Sequence, residues 1–214
     1  MPKHVDPDAR RRLVVDALFR VVVREGLQRT SLRAVAAEAD LNIGSLRHYF
    51  ASQQDLMHFA MQSMLGQVSA RLLEHVEQIG DLGRYPRPKQ LRLTAGLLAE
   101  FLPLDERRRA EVTVFLDFNT AARTDPAFAD LSRQAAEGTR RLMRRVLTRL
   151  DESGTLRHDL DLDIEAERLA ALLDGLSLRA VLHPEILAPR VCVDVLVAHL
   201  GDLSLPAATP GSAH

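Results

Sequence analysis

The chain has 214 residues, 46% of them hydrophobic and 27% charged, enough apolar side chain to bury the core of one large domain or of a small one joined to a larger. The single cysteine, Cys192 in the apolar run "RVCVDVLVAHL", excludes an internal disulfide and a cysteine-based zinc cluster, and it fits a reducing compartment. The formal net charge of -1 is unevenly spread: residues 1–50 carry nine Lys+Arg against six Asp+Glu and the remainder nineteen against twenty-three, so the basic end is N-terminal, as in a nucleic-acid-facing unit on a neutral or acidic body.

The opening "MPKHVDPDARRR" has no apolar signal-peptide core, and no apolar run is long and uncharged enough to span a bilayer. The expected location is the cytoplasm, with no membrane partner. Helical periodicity then dominates the chain. Val14, Ala17, Leu18 and Val21 recur at helical spacing and predict a first helix over about 8–25, ended by Gly26. Thr30 or Ser31 caps a second, with Leu32, Val35, Ala36 and Ala39 on its buried side, and Asn42 caps a third. Ser52 and Asp55 have the spacing of a capping box and open a longer helix carrying Leu56, Phe59, Ala60, Met64, Val68 and Leu72.

"IGDLGRYPRP" interrupts the pattern as a loop. Further helices are expected at about 88–102, 105–123, 126–152, 162–182 and 185–200, punctuated by Pro103, Pro126, Gly154 and Pro184. The tail "LPAATPGSAH" is expected to be disordered. The fold class is all-α, divided into a three-helix unit over 1–51, a helical body over 52–204 and the tail over 205–214.

Within the first unit, "TSLRAVAAEADLNIGSLRHYF" reads as two short helices joined by a tight turn, a helix-turn-helix. The second helix is narrow enough to enter a major groove while the first braces it across the backbone. Arg47 can offer a fork of hydrogen bonds to guanine, Ile43 can pack on a thymine methyl, and Gly44 lets the helix backbone come close. Leu46 and Phe50 point inward as anchors. Thr30, Ser31 and Tyr49 suit phosphate, helped by amides at the start of the first short helix. His48 is either part of this surface or a solvated side chain. A compact helix pair is also compatible with plain helical packing.

The stretch "REGLQRTSLRAVAAEADLNIGSLRHYFASQQDL", followed by a larger all-helical body, resembles the tetracycline-repressor (TetR) family of bacterial transcription regulators. The resemblance is close over about residues 8–57; beyond that it rests on helix number and length. It implies that three N-terminal helices bind DNA, the body holds a ligand pocket, and the last two long helices form a homodimer. It also implies groove or phosphate roles for Ser31, Arg33, Ile43, Gly44, Ser45, Arg47 and Tyr49. Three positions depart from the family. Asp40 stands where the turn usually has Gly, and Asp tolerates a left-handed backbone. Arg47 replaces a common aromatic. Gln53 replaces a phosphate-contacting Lys, which removes one charged contact and leaves more of the affinity to Arg33 and the helix termini.

Other features have plainer readings. Arg140 with Arg144 and Arg141 with Arg145 lie on neighbouring turns of a solvated helix face rather than an anionic-lipid surface. "HDLDLDIEAE" starts like a calcium loop, but Ile164 and Ala170 occupy its required Gly and Glu positions, so Asp161 or Asp163 is expected as a helix cap. No phosphate-cradling glycine loop, paired-histidine metal motif or local nucleophile signature is present; neither an enzyme nor a cofactor is expected.

In the body, Val112, Phe115 and Asn119 share a helical face, and an amide there either contacts a ligand or pairs with a neighbouring helix. Asp174 in "LAALLDGLSL" poses the same choice. "LPLDERRRAEV" resembles the choline-responsive branch of the family. However, an aromatic cage needs rings, and the chain has no Trp and only Tyr49 and Tyr85. An aliphatic pocket edged by Phe101, Phe115 and Phe118 suits an uncharged or amphiphilic molecule better. The expectation is a ligand-responsive repressor released from a palindromic operator by a small molecule. The alternatives are a small-molecule-binding module without DNA binding, or a helical-bundle enzyme or cofactor carrier.

Overall fold

Helix boundaries follow glycine, proline and polar caps closely. The computed structural model describes residues 7–205, with side chains from Ala9 onward. Among them are nine α-helices and no strand: α1 (Pro7–Glu25), α2 (Leu32–Glu38), α3 (Ile43–Tyr49), α4 (Gln53–Ile79), α5 (Arg87–Leu98), α6 (Glu106–Ala122), α7 (Pro126–Glu152), α8 (Leu162–Leu182) and α9 (Pro189–Leu203). Gly26 ends α1 at φ 80°, a conformation that favours glycine.

Two differences from the sequence reading have local causes. The helix expected over 88–102 stops at Leu98 and tightens into a 3-10 turn, Ala99–Phe101. The last helix starts at Pro189 rather than near 185. A proline fits the first helical position but cannot donate inside a helix, so the chain turns over His183–Leu187 and restarts. Asp161, not Asp163, caps α8, accepting from the amides of Asp163 and Ile164. At the end of the described chain, the Leu205 amide donates to the Thr155 carbonyl at 2.9 Å. Residues 206–214, the rest of the expected tail, lie outside the described residues.

The chain divides into two compact units: the described residues through Arg71 with Pro103–Ala136, and Leu72–Leu102 with the residues from Glu137 onward. The first contains α1–α3, the start of α4, α6 and the start of α7. Its core contains the α1 stripe of Val14, Ala17, Leu18 and Val21, all 0% exposed, with Val35, Leu46, Leu56, Met57, Met61, Val114 and Phe118. Arg20 and Arg24 of α1 both reach Glu38 of α2, at 2.7 and 3.0 Å, and these hydrogen bonds hold the Glu38 carboxyl below its ordinary range. Arg71 of α4 grips Glu111 of α6 through both oxygens, at 3.2 and 2.6 Å.

The second unit buries Leu98, Met143, Leu147, Leu150, Leu169, Leu196 and Leu200, with Cys192 wholly enclosed among them. Burial pushes the Cys192 thiol up, so it acts as a small hydrophobe. A polar knot joins Gln90 of α5 to the turn after α7: its Oε1 accepts from Ser153 and Thr155, and its Nε2 donates to the Tyr85 carbonyl at 2.8 Å. The expected arginine face of α7 pairs with α8. Arg144 meets Asp163 at 2.9 Å and Arg140 meets Glu167 at 3.7 Å.

Candidate nucleic-acid interface

The pair α2 and α3 is built from short-range chemistry. Ser31 Oγ accepts from the Ala34 amide at 3.2 Å, and Asn42 Oδ1 accepts from the Ser45 amide at 2.7 Å, so each helix has a side-chain cap. The turn between them is a Schellman motif. The Leu41 amide donates to the Ala36 carbonyl at 2.8 Å and the Asp40 amide to that of Ala37 at 3.2 Å. This geometry puts Asp40 at φ 53°, the one positive φ outside glycine among the described residues. It is the residue where the family pattern has glycine, and the short polar side chain carries the strain.

Burial fixes which way α3 faces. Leu46 is 0% and Phe50 4% exposed, both inside the core, which turns Gly44, Arg47 and His48 outward. Ser45 is partly covered, while Ile43 and Tyr49 are half-buried and pack on the core with part of their surface free. His48 and Tyr49 meet edge-on at 5.5 Å. A Cβ on Gly44 would lie 3.3 Å from Asn42 Oδ1, so the glycine also makes room for the cap of α3.

Ser31 and Arg33 are exposed at the start of α2, and Gln53 is half-buried at the start of α4. Among the described residues neither Arg33 nor Arg47 has an ion-pair partner, in contrast with Arg20 and Arg24. Arg29, in the turn before α2, is equally exposed and unpaired. The sequence reading passed over it; the available signal was a cation beside the cap. Thr30 departs from its expected phosphate role. It is 3% exposed and its hydroxyl donates to the Gly26 carbonyl at 3.0 Å, so it braces the turn instead of facing solvent.

The expected ligand residues fall into both units. In the first, Phe118 is 0% exposed with its ring 5.3 Å from that of Phe128, which makes it a core residue with no face to offer. Asn119 takes the helix-pairing alternative: its Oδ1 accepts from Ser132 Oγ at 2.7 Å. Phe115 is half-buried against the same core. A cleft of about 210 Å³ in this unit is lined by Val15, Asp16, Phe19, Met64, Gln67, Arg107, Ala110 and Glu111, none of them expected from the sequence.

In the second unit, Phe101 is half-buried and its carbonyl accepts from Ser177 Oγ at 2.9 Å. Asp174 lies at the surface of α8, where partial burial pushes its carboxyl up. The two tyrosines offer little to a cationic ligand: Tyr49 belongs to α3, and Lys89 Nζ sits 4.2 Å from the ring centre of Tyr85. Among the described residues no group of three or more His, Cys, Asp or Glu is arranged to hold a metal ion, and no helix is long and apolar enough to cross a membrane.

Comparison with known proteins covers both the reading helices and the body. Residues 14–59 match the family described as "Bacterial regulatory proteins, tetR family", and residues 90–204 match "BetI-type transcriptional repressor, C-terminal". The transcriptional regulator PksA of Bacillus subtilis is 37% identical over 184 residues, 86% of this chain and 84% of that protein. A transcriptional regulator from Rhodococcus sp. Rha1 superposes with a TM-score of 0.75 at 30% identity, over 90% of this chain and 95% of that one. A regulator from Saccharomonospora viridis in complex with choline shares the fold, with a TM-score of 0.75 at 24% identity over 91% and 95% of the two chains. With helix-turn-helix and body both matched, the chain belongs to the TetR family of bacterial transcriptional regulators.

Proposed function

We propose that this regulator is a homodimeric repressor that acts in the cytoplasm, binds a palindromic operator and is released from it by a small molecule. The observation that carries the reading is the orientation of α3. Leu46 and Phe50 anchor it to the core while Arg47 stays exposed and unpaired, a cation available to a guanine edge. Functionally, residues 1–51 read DNA and residues 52–204 sense the effector and dimerise. Arg47 and Ile43 contact base edges, with Gly44, Ser45 and His48 lining the approach. Ser31, Arg33, Tyr49, Gln53 and the newly noted Arg29 face phosphate.

The dimer reading draws on α8 and α9. Ala171, Gly175, Leu178 and Leu182 recur at spacings of four and three on the exposed side of α8, a seam of small and apolar residues at helix-pairing periodicity. Leu178 and Leu182 are 44% and 58% exposed, and Val191 of α9 is 43% exposed. A second copy covering this face across a two-fold axis buries them and ties two α3 helices at the spacing of successive major grooves, about 34 Å. Effector release then needs only a ligand preference between two dimer states, typically about 1 to 3 kcal/mol of coupling. Phe101 and Asp174, both of the second unit, remain the proposed effector contacts. The scarcity of free aromatic faces favours an uncharged or amphiphilic effector over the choline found in the Saccharomonospora viridis regulator.

A mobility-shift titration on DNA flanking the protein's own gene tests the reading, run with wild type and Arg47→Ala. Wild type is expected to shift a discrete palindromic segment. The variant is expected to lose about 1 to 3 kcal/mol of specific affinity and to relax base preference at one position per half-site. Equal losses on specific and random duplexes would reassign Arg47 to phosphate.

A further inference from the structure

Two carboxylates in the first unit reach the two ends of the reading segment. At its start, the Leu27 amide opens the 3-10 turn between α1 and α2, directly after Gly26 leaves the helix. That amide donates to Asp117 Oδ2 of α6 at 3.0 Å, across 90 residues of sequence. Leu27 itself is 7% exposed, so without Asp117 its amide would face a mostly dry environment unpaired. At the far end, Gln54 Nε2 in the first turn of α4 donates to Asp125 Oδ2 at 3.1 Å, while Asp125 Oδ1 accepts from the Ala127 amide at the start of α7.

Between these two holds lie α2 and α3, each seven residues long and too short to stand without support. α6 is itself fixed in the core of the same unit by Val114 and Phe118, both 0% exposed. Its Asp117 is therefore presented from a rigid base, while Asp125 stands in the turn between α6 and α7. Among the described residues Asp117 has no ion-pair partner, which leaves the Leu27 amide as its polar contact.

We propose that Asp117 and Asp125 form a two-point clasp that sets where α2 and α3 stand, with Asp117 a positioning residue for operator binding although it touches no DNA. The proposal rests on the reading of this chain as a DNA-binding regulator. The Asp117 contact is a charge-assisted hydrogen bond to the backbone, so its loss frees the segment's starting point while the side chains that meet DNA stay as they are.

The test uses the full chain as wild type, Asp117→Ala and Asp117→Asn, with three measurements: hydrogen exchange of the Leu27 amide in the free protein, the thermal midpoint, and affinity for a duplex selected by wild type against a random duplex. Asp117→Ala is expected to exchange Leu27 at least about tenfold faster and to bind the selected duplex about tenfold more weakly, a loss within the usual range for coupled sites, while random-duplex binding holds. Asp117→Asn keeps an acceptor oxygen and is expected to restore most of both. Gln54→Leu opens the far hold and is expected to weaken selected-duplex binding without changing Leu27 exchange. Unchanged Leu27 exchange in Asp117→Ala would overturn the clasp. So would full affinity per folded molecule once Leu27 is unprotected, or a thermal midpoint that falls with no change in selectivity. A wild-type chain that selects no duplex would overturn the underlying regulator reading instead, and Leu27 exchange tells the two failures apart.

Discussion

Replacing Leu46 with alanine tests how the reading helix is held. α3 has seven residues, and Leu46 is its one fully buried side chain. A helix this short has negligible stability by itself, so its orientation depends on that contact and on Phe50 just beyond it. Truncating a leucine at 0% exposure removes about 0.8 kcal/mol per buried methylene-sized group and leaves a cavity that adds a further about 1 to 2 kcal/mol. The expected loss is about 3 to 4 kcal/mol, felt by the first unit. Urea unfolding with hydrogen exchange over α2 and α3 reads the stability. Operator titration, normalised to the folded fraction, reads function. Operator affinity is expected to fall at least about tenfold, since Arg47 and Ile43 keep their chemistry but lose their fixed position. A stability loss below about 0.5 kcal/mol with full operator affinity would refute the idea that Leu46 anchors α3.

Three further outcomes follow from the same geometry. Gln53→Lys places a cation at the start of α4 and is expected to strengthen binding to every duplex and steepen the salt dependence by about one phosphate's worth; an unchanged salt slope would mean that residue 53 faces away from the backbone. Leu178→Glu puts a carboxylate into the exposed α8 seam and is expected to yield monomers in sedimentation with little change in helical content, because an unpaired buried charge is costly; a variant that still dimerises would move the interface elsewhere. Burial lowers the His199 pKa against the opposing pull of Glu165, with Arg168 adding to the lowering and Asp202 opposing it. The unfolded chain therefore takes up the proton first, so this contribution to stability is complete above the unfolded value of about 6.5 and is lost as pH falls through it toward the folded value. His199→Gln is expected to flatten the decline of the thermal midpoint in that window, and an identical decline in both proteins would contradict it.

The local parts of the fold were legible in the sequence because their causes are local. Ser31 and Asn42 are capping residues at capping positions, Asp40 accepts a left-handed turn, and α7 and α8 run between the proline and aspartate signals that bound them. Outward and inward faces of α3 followed from Leu46 and Phe50. What was not legible depends on which neighbour the fold turns each side chain against. Thr30 looks like a surface hydroxyl until the Gly26 carbonyl folds over it, and Phe118 and Asn119 look like pocket residues until Phe128 and Ser132 of α7 meet them. The Leu27 contact to Asp117 leaves no sequence signal, since any exposed-looking carboxylate on α6 would read the same. Proline 189 was visible, but Pro184 offered a competing helix start five residues earlier.

The central claim, that two copies of this chain use paired α3 helices to read DNA, is tested most directly by selecting duplexes from a randomised pool with the full-length protein. The account predicts enrichment of a palindrome whose half-sites lie about one helical turn apart, bound by a dimer, with an affinity that falls steeply as salt rises. Enrichment of no sequence over the starting pool, or of a single unpaired half-site bound by a monomer, would contradict it.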